Sequence, residues 1–223
     1  PVKDFSEDLF VFMVTSSGTC KKTSLSNFSR PRKGGIIAIE LRGDDRLVGV
    51  EITSGEHDIL LFSSAGKSIR FRESDVRSVG RTAIGVRGIR LADGDKVVSL
   101  IVAQETDPIL TATEKGYGKR TNLDEYRTQA RGGSGVISIK TSKRNGKVVG
   151  AIQVTDEDEM MLISNKGTLV RARSSDVSII GRNTQGVTLI NIAEDEELVS
   201  VAKIAESDED SEDDSVSGKN PEE

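Results

Sequence analysis

The chain has 223 residues, long enough for one large or two small domains, and only 4% of them are aromatic, so its core must be built from Val, Ile and Leu. One cysteine and one histidine exclude an internal disulfide and a cysteine-ligated zinc site, and leave little for histidine acid–base catalysis. No apolar run approaches the roughly 20 residues that a membrane span needs. We therefore expect a cytoplasmic protein without a metal site, in which Cys20 is a buried, inert thiol.

The net charge of −5 is unevenly distributed along the chain. Residues 206–223 contain nine acids and one lysine, a net of −8, which leaves 27 acids and 30 bases, a net of +3, in the other 205 residues. A segment of the tail's composition cannot bury enough apolar surface to offset its ordering entropy. We predict that residues 206–223 form a disordered acidic tail.

In chain order, residues 1–8 read as a linker or the end of a preceding unit, and four similar segments follow. A hairpin glycine recurs at spacings of 48, 50 and 51, and a second glycine recurs at 50, 50 and 51. The hairpin glycines are Gly18, Gly66, Gly116 and Gly167, and the second glycines are Gly35, Gly85, Gly135 and Gly186. This period predicts one domain over residues 9–205 with repeats at about 9–53, 58–103, 108–154 and 160–205. The chain begins at Pro1 without a methionine, so we expect it to be a fragment of a longer protein.

Each repeat reads as four strands: an apolar run such as ILLFSS, a short charged strand such as IRFR, an alternating strand that starts at the second glycine, and a final strand such as VVSLIV. No segment has a sustained helical period. Four-stranded units repeated in tandem are typical of a propeller-like, all-β radial array. A β-solenoid or a pair of sandwiches is the alternative.

Bases recur in register with these strands. One stands four residues after every hairpin glycine, and an arginine stands four residues before three of the second glycines. Taken singly, each base is better explained as a solvated or salt-bridged residue. Four in register are different, because radial repetition would place them on one continuous band, which matches a bent polyanion. The candidate DNA-binding residues are Lys22, Lys33, Arg70, Arg72, Arg81, Lys119, Arg120, Arg131, Arg171, Arg173 and Arg182.

The alternation of the second strands leaves one inconsistency. Arg70 and Arg72 share a face, as do Arg171 and Arg173, whereas Lys21 and Lys119 fall at core-facing positions. No aromatic residues interleave with the bases and no helix-turn-helix is present, so duplex DNA held by its backbone, with weak sequence specificity, is the best match.

Three segments carry a family resemblance: 84-IGVRGIRLADGDKVVSLIV-102, 110-LTATEKGYGKRT-121 and 179-IIGRNTQGVTLI-190. They resemble the C-terminal domain of the bacterial DNA gyrase A subunit, and the resemblance extends from about Leu9 to Ala205. It implies a β-pinwheel, a propeller relative with altered strand order, that wraps duplex DNA around a basic rim. It also implies a nucleoid-associated A2B2 enzyme with the gyrase B subunit, which is an ATP-dependent type IIA topoisomerase that introduces negative supercoils. ATP and Mg would then be used through the partner protein, and this chain would carry no catalytic residue and bind no cofactor of its own.

The family has a glutamine, base and glycine box in its first blade, and the closest match here is the loop Gln129-Ala130-Arg131-Gly132-Gly133-Ser134-Gly135. Gln129, Arg131, Gly132, Gly133 and Gly135 match, whereas Ala130 and Ser134 replace bases. The resemblance implies a degenerate copy in a later blade, with the true box and two blades upstream. The glycines could let backbone approach DNA, or serve only a turn between strands.

The sequence is also compatible with several alternatives. The equivalent domain of topoisomerase IV is the nearest, and a protein-interaction propeller is the next, although no WD or kelch signature recurs. A free-standing enzyme is disfavoured because no acid–base or metal constellation is present. The acidic tail either competes with DNA for the basic band or acts as a solubilising segment.

Overall fold

The computed structural model describes residues 2–103 and 106–204, and the acidic tail predicted over residues 206–223 lies outside these ranges. The described residues form an all-β, propeller-like array of four sheets, with one-turn 3-10 helices as the helical elements of these ranges. The strands are β1 (Phe10–Thr15), β2 (Thr19–Ser24), β3 (Leu47–Thr53), β4 (Asp58–Ser63), β5 (Lys67–Arg72), β6 (Val86–Arg87), β7 (Val97–Val102), β8 (Ile109–Thr113), β9 (Tyr117–Thr121), β10 (Val136–Ile137), β11 (Val148–Gln153), β12 (Glu159–Ser164), β13 (Leu169–Arg173), β14 (Val187–Thr188) and β15 (Leu198–Lys203).

Each of the first three sheets borrows its outer strand from the following repeat. The strand orders are β3-β1-β2-β6, β10-β5-β4-β7, β11-β8-β9-β14 and β13-β12-β15. Thus β6, which belongs to the second repeat in sequence, pairs antiparallel with β2 of the first. The strand predicted after the second glycine therefore exists in the last three repeats, but it is two residues long and pairs outside its own repeat. This exchange ties every repeat to the one before it.

The first repeat departs from the prediction of four strands, because the segment after Gly35 forms none. Its equivalents in later repeats pair with the second strand of the preceding repeat. Within the described ranges no repeat precedes the first, so this segment has no edge to pair with, and Ile37 is 64% exposed. The fourth sheet lacks an outer strand because no described repeat follows it to supply one.

The apolar core lies between neighbouring sheets. Phe12 and Val14 of β1 pack with Ile59 and Leu61 of β4 in one cluster. The alternate residues of β4, including Leu60, pack towards the third sheet in a second cluster. A middle strand therefore needs apolar residues on both faces, and all six residues of β4 are buried. In the terminal sheet the burial of β12 alternates, because one of its faces has no neighbour.

The last strands of the repeats pack side by side, β3 on β7, β7 on β11 and β11 on β15, and so line the axis of the array. The borrowed strands lie at the opposite, outer edge of each sheet. At the open ends of the array Val50 and Ile52 of β3, and Val199 of β15, remain exposed. Four sheets thus leave apolar surface at both ends that further sheets of the same kind would cover.

The repeated glycines are explained by contacts between repeats. Gly135 has φ of 68°, and a Cβ there would collide with the backbone carbonyl of Ser68 in the preceding repeat. The hairpin glycine Gly66 has φ of 82°, and its Cβ would meet the carbonyl of Ile139 in the following repeat. Gly35 and Gly167, at the two open ends, have no atom within 4 Å of such a Cβ. Glycine is therefore needed where one repeat's backbone lies directly on the next.

Candidate nucleic-acid interface

Three of the four bases that stand four residues after the hairpin glycines cross-link neighbouring sheets instead of forming an exposed band. Arg120 is 4% exposed, and its Nε donates to the Val177 carbonyl of the next repeat at 2.8 Å while Nη1 pairs with Asp156. Arg70 pairs with Asp58 at 2.5 Å and donates Nη1 to the Leu123 carbonyl at 3.0 Å. A guanidinium supplies several donors in a fixed geometry, which suits this joint between two backbones.

Lys22 occupies the same joint in the first repeat. Its ammonium lies 3.7 Å from the carboxylate of Glu73, donates to the Glu73 carbonyl at 3.3 Å and stands 4.9 Å from the Phe10 ring centroid. The prediction that Lys22, Arg70 and Arg120 belong to one exposed basic band is wrong in geometry, because each is enclosed by the following repeat. Arg171, the fourth member, is 64% exposed and pairs with Glu159, since no repeat covers it.

Lys119 and its counterpart Lys21 lie inside the protein, at the positions where the alternation of the second strands was inconsistent. Lys119 is 0% exposed, and its ammonium donates to the Gly181 and Arg182 carbonyls at 2.6 Å each. Burial lowers the pKa of Lys119 from 10.5 to about 8. Lys21 binds the Ala38 carbonyl at 2.8 Å and the Arg81 carbonyl, and desolvation lowers its pKa as well. Lys119, predicted to contact DNA, instead ties down a loop of the next repeat.

That loop belongs to a set of three, which we call the glycine loops: residues 79–85, 129–135 and 180–186. Each precedes a borrowed strand and lies against the repeat before it. Gln129 is the first residue of the second loop, and its backbone N–H donates to the Arg70 carbonyl at 2.8 Å. Its side-chain Nε2 is buried and has no hydrogen-bond partner among the described residues. The loops therefore sit at the outer edge, each across a junction between repeats.

The arginines predicted four residues before the second glycines hold these loops in series. Arg81 donates to the Ile37 carbonyl at 2.9 Å, and Arg131 to the Arg87 carbonyl at 3.1 Å. Arg182 donates to the Ile137 carbonyl at 2.7 Å. In each case the acceptor is the carbonyl two residues after the preceding repeat's second glycine. Part of each guanidinium is thus committed to protein backbone.

The remaining predicted bases face solvent. Lys33 and Arg173 are exposed, and Arg72 keeps 60% of its side-chain surface while it pairs with Asp58 at 3.0 Å. Sequence reasoning missed other exposed bases near the outer edge and on the adjoining turns, namely Arg87, Arg90, Lys140, Lys143, Arg144 and Lys147. The sequence does carry a signal for the bases of the turn: residues 140–147 contain four bases, whereas the equivalent turns of the second and fourth repeats are acidic.

The turn at residues 140–147 is rigid. Asn145 is fully buried, donates Nδ2 to the Lys140 carbonyl at 2.8 Å and to the Gln185 carbonyl at 3.1 Å, and accepts from the Ser142 N–H at 2.8 Å. The guanidinium of Arg144 lies 4.9 Å from the centroid of the Tyr117 ring. The turn therefore presents fixed positive charge to solvent.

Neither a metal-binding cluster nor a reactive thiol is found within residues 2–103 and 106–204. These ranges hold no group of three or more His, Cys, Asp or Glu placed to bind a metal ion. Cys20 is buried, and desolvation raises the pKa of its thiol to about 12, which makes it a poor nucleophile. Of the described helices, none is long and apolar enough to cross a membrane.

These features define a repeat domain of the β-propeller type with outer strands exchanged between neighbours. The family model described as "DNA gyrase C-terminal domain, beta-propeller" matches residues 10–54, 57–104, 107–155 and 158–205. The chain belongs to the DNA gyrase C-terminal domain family.

Curated relatives are whole gyrase A subunits. The chain is 56% identical to the DNA gyrase A subunit of Salmonella typhimurium over 218 residues, which cover 98% of this chain and 25% of that protein. It therefore spans about a quarter of the length of the relatives it matches. A solved structure of the DNA gyrase A C-terminal domain matches with a TM-score of 0.82 and 31% identity, covering 92% of this chain and 68% of that one. A solved C-terminal domain of DNA topoisomerase IV matches with a TM-score of 0.87 and 29% identity, covering 92% and 64%.

Proposed function

We propose that this chain binds duplex DNA without sequence specificity and bends it around the outer edge of the array. In the whole enzyme it would support ATP-dependent supercoiling together with the gyrase B subunit in an A2B2 assembly. Nucleotide and Mg would be bound outside this chain, and the assembly would act in the cytoplasm, on the nucleoid.

The observation that carries the proposal is the pair Arg90 and Lys140. Both stand five residues after a second glycine, both are exposed, and both donate their backbone N–H to the next glycine loop, to Gly133 and Thr184 respectively, at 2.8 Å. They therefore occupy equivalent places on the outer edge at successive junctions. Regularly spaced cations on a curved edge suit a bent phosphate backbone, whose binding releases counterions.

The contacts made by these bases must offset the free-energy cost of bending the duplex. Bending 20–30 base pairs by 40–90° costs about 1–6 kcal/mol, so several phosphate contacts are needed to offset it. The resulting affinity should fall steeply with salt, with a slope of log K against log salt near −0.9 for each neutralised phosphate.

The test compares duplexes of about 40 and 150 base pairs in a mobility-shift salt series. We expect tighter binding of the longer duplex and a steep salt slope. Wrapping is then tested by relaxing a closed plasmid with a type IB topoisomerase in the presence of the chain. A linking-number shift that grows with protein concentration supports wrapping, whereas binding without a shift supports contact alone. Failure to bind either duplex at low salt overturns the proposal and favours a protein partner.

A further inference from the structure

The junction of the second and third repeats brings two exposed arginines against the box-like loop. Arg131 Nη1 donates to the Arg87 carbonyl at 3.1 Å. The Gly132 N–H donates to the Gly88 carbonyl at 2.6 Å, and the Arg90 N–H donates to the Gly133 carbonyl at 2.8 Å. The chain from Arg87 to Arg90 therefore lies alongside the loop from Arg131 to Gly133, with its position set by three hydrogen bonds.

The two arginine side chains at this junction are available to a ligand. Arg87 and Arg90 are exposed, and neither guanidinium has an ion-pair or hydrogen-bond partner within the described ranges. A Cβ at Gly132 would come within 4.0 Å of the Arg87 Cβ and Cγ, so the stem of this side chain lies against the loop. Two uncompensated positive charges thus flank the same glycine-rich segment.

Backbone donors complete the arrangement. In the part of the chain that the structure describes, the N–H groups of Gly133 and Ser134 donate to no protein acceptor. Ser134 also lines a depression of about 250 Å³ together with Arg90 and Lys67. Free N–H groups beside cationic side chains form a favourable environment for an anionic oxygen.

The acid in this depression does not cancel these charges by pairing with them. Asp95 also lines it, but its Oδ1 accepts from the Ser64 hydroxyl at 2.8 Å and from the Ala65 N–H at 2.9 Å. The carboxylate therefore caps a hairpin turn, and Arg90 and Lys67 remain free for an external anion.

The other two described junctions lack this combination. The residues equivalent to Arg87 and Arg90 are Ile37 and Glu40 before the first glycine loop, and Ile137 and Lys140 before the third. Of the three junctions, this one alone places two arginines against its loop. The pair of free arginines is therefore specific to this junction and does not recur at the other two.

We propose that this junction is a composite phosphate clamp, in which Arg87 and Arg90 of one repeat and the Gly133 and Ser134 N–H groups of the next bind the backbone of duplex DNA. The proposal rests on the proposed DNA-binding function and specifies its strongest contact point. Arg131 acts as a positioning residue that holds the two segments together.

The test is the salt dependence of duplex binding by an Arg87→Ala/Arg90→Ala double variant of the chain. Loss of two phosphate contacts should make the slope shallower by about 2 and weaken binding at 0.1 M salt about eightfold per contact, so about sixtyfold in all. The matched control is Arg42→Ala/Arg46→Ala, which removes the same charge from an exposed turn of the first repeat and should leave the slope unchanged.

A gain-of-function variant guards against a simple loss of folding. Ser134→Lys adds a base to the clamp at an exposed position and should steepen the slope by about 1. Equal losses in the clamp and control variants, or no gain from Ser134→Lys, would overturn the clamp while leaving DNA binding intact. A parent chain that fails to bind duplex DNA would instead overturn the proposed function.

Discussion

Replacing Lys119 by isoleucine tests whether a buried ammonium holds the third glycine loop. The substitution removes the donor of two 2.6 Å hydrogen bonds, to the Gly181 and Arg182 carbonyls. Isoleucine already stands at the equivalent position of the second repeat, as Ile69, where it is fully buried. The change therefore imports a side chain that this fold accommodates and isolates the loss of the polar contacts.

The expected magnitude follows from two opposing terms. Hydrogen bonds from a charged donor contribute about 1.5–3 kcal/mol each, so about 3–6 kcal/mol is lost. Burying the ammonium opposes folding. The lowering of the Lys119 pKa from 10.5 to about 8 corresponds to a cost of about 3 kcal/mol for the charged form in the folded state. The difference leaves a range of about 0–3 kcal/mol, so we expect Lys119→Ile to lower the free energy of unfolding by about 1.5 kcal/mol at pH 7.

The pH dependence provides a second readout with a defined sign. Between about pH 8 and 10.5 Lys119 is deprotonated in the folded state and protonated in the unfolded state. The unfolded state then binds more protons, so this residue makes the parent more stable as pH rises. The isoleucine variant lacks that gain, and the deficit should grow by about 2 kcal/mol from pH 7 to pH 9.5.

Urea unfolding of both proteins at pH 7 and 9.5, followed by circular dichroism, measures both quantities. Comparing the two proteins cancels contributions from other titrating groups, including Lys21. A deficit that does not change with pH, or a variant as stable as the parent at both pH values, would refute this account of Lys119.

Three further outcomes are expected. Arg120→Leu should destabilise the fold by about 1–3 kcal/mol, because the Val177 carbonyl loses the buried Arg120 Nε donor. Arg171→Leu at the exposed equivalent position should cost under about 1 kcal/mol, and equal losses in urea unfolding would contradict the idea of a joint between sheets. Gly135→Ala should lower the free energy of unfolding by more than about 1 kcal/mol, because the φ of Gly135 is 68° and the new Cβ would meet backbone atoms. Thermal unfolding measures the loss, and the control is Gly34→Ala, whose Cβ would meet no atom within 4 Å. Removing the acidic tail after residue 205 should tighten duplex binding in mobility shifts, and unchanged affinity would show that the tail only solubilises the chain.

The repeated bases show how a periodic sequence signal can serve structure instead of binding. Lys22, Arg70 and Arg120 recur because every repeat must be fastened to the next one, and the arginines of the glycine loops recur because each loop must be fastened to the previous one. The bases that we propose as DNA contacts are exposed, and they do not recur in every repeat: Arg87, Arg90 and those of the turn at residues 140–147. Bases that recur in every repeat therefore fasten the repeats together, whereas the proposed contacts are bases that only some repeats carry.

The sequence by itself determined the repeats and their strands, because glycines at a constant period and alternating apolar residues are local signals. Only the tertiary structure decided which sheet each borrowed strand joins, since β10 finds its partner in the preceding repeat. It also decided exposure: Arg120 and Arg171 stand at the same place in their repeats, yet the side chain of Arg120 is 5% exposed and that of Arg171 is 64% exposed. The physical reason is that burial is set by the neighbouring sheet, and the local pattern of a repeat does not record whether a neighbour is there.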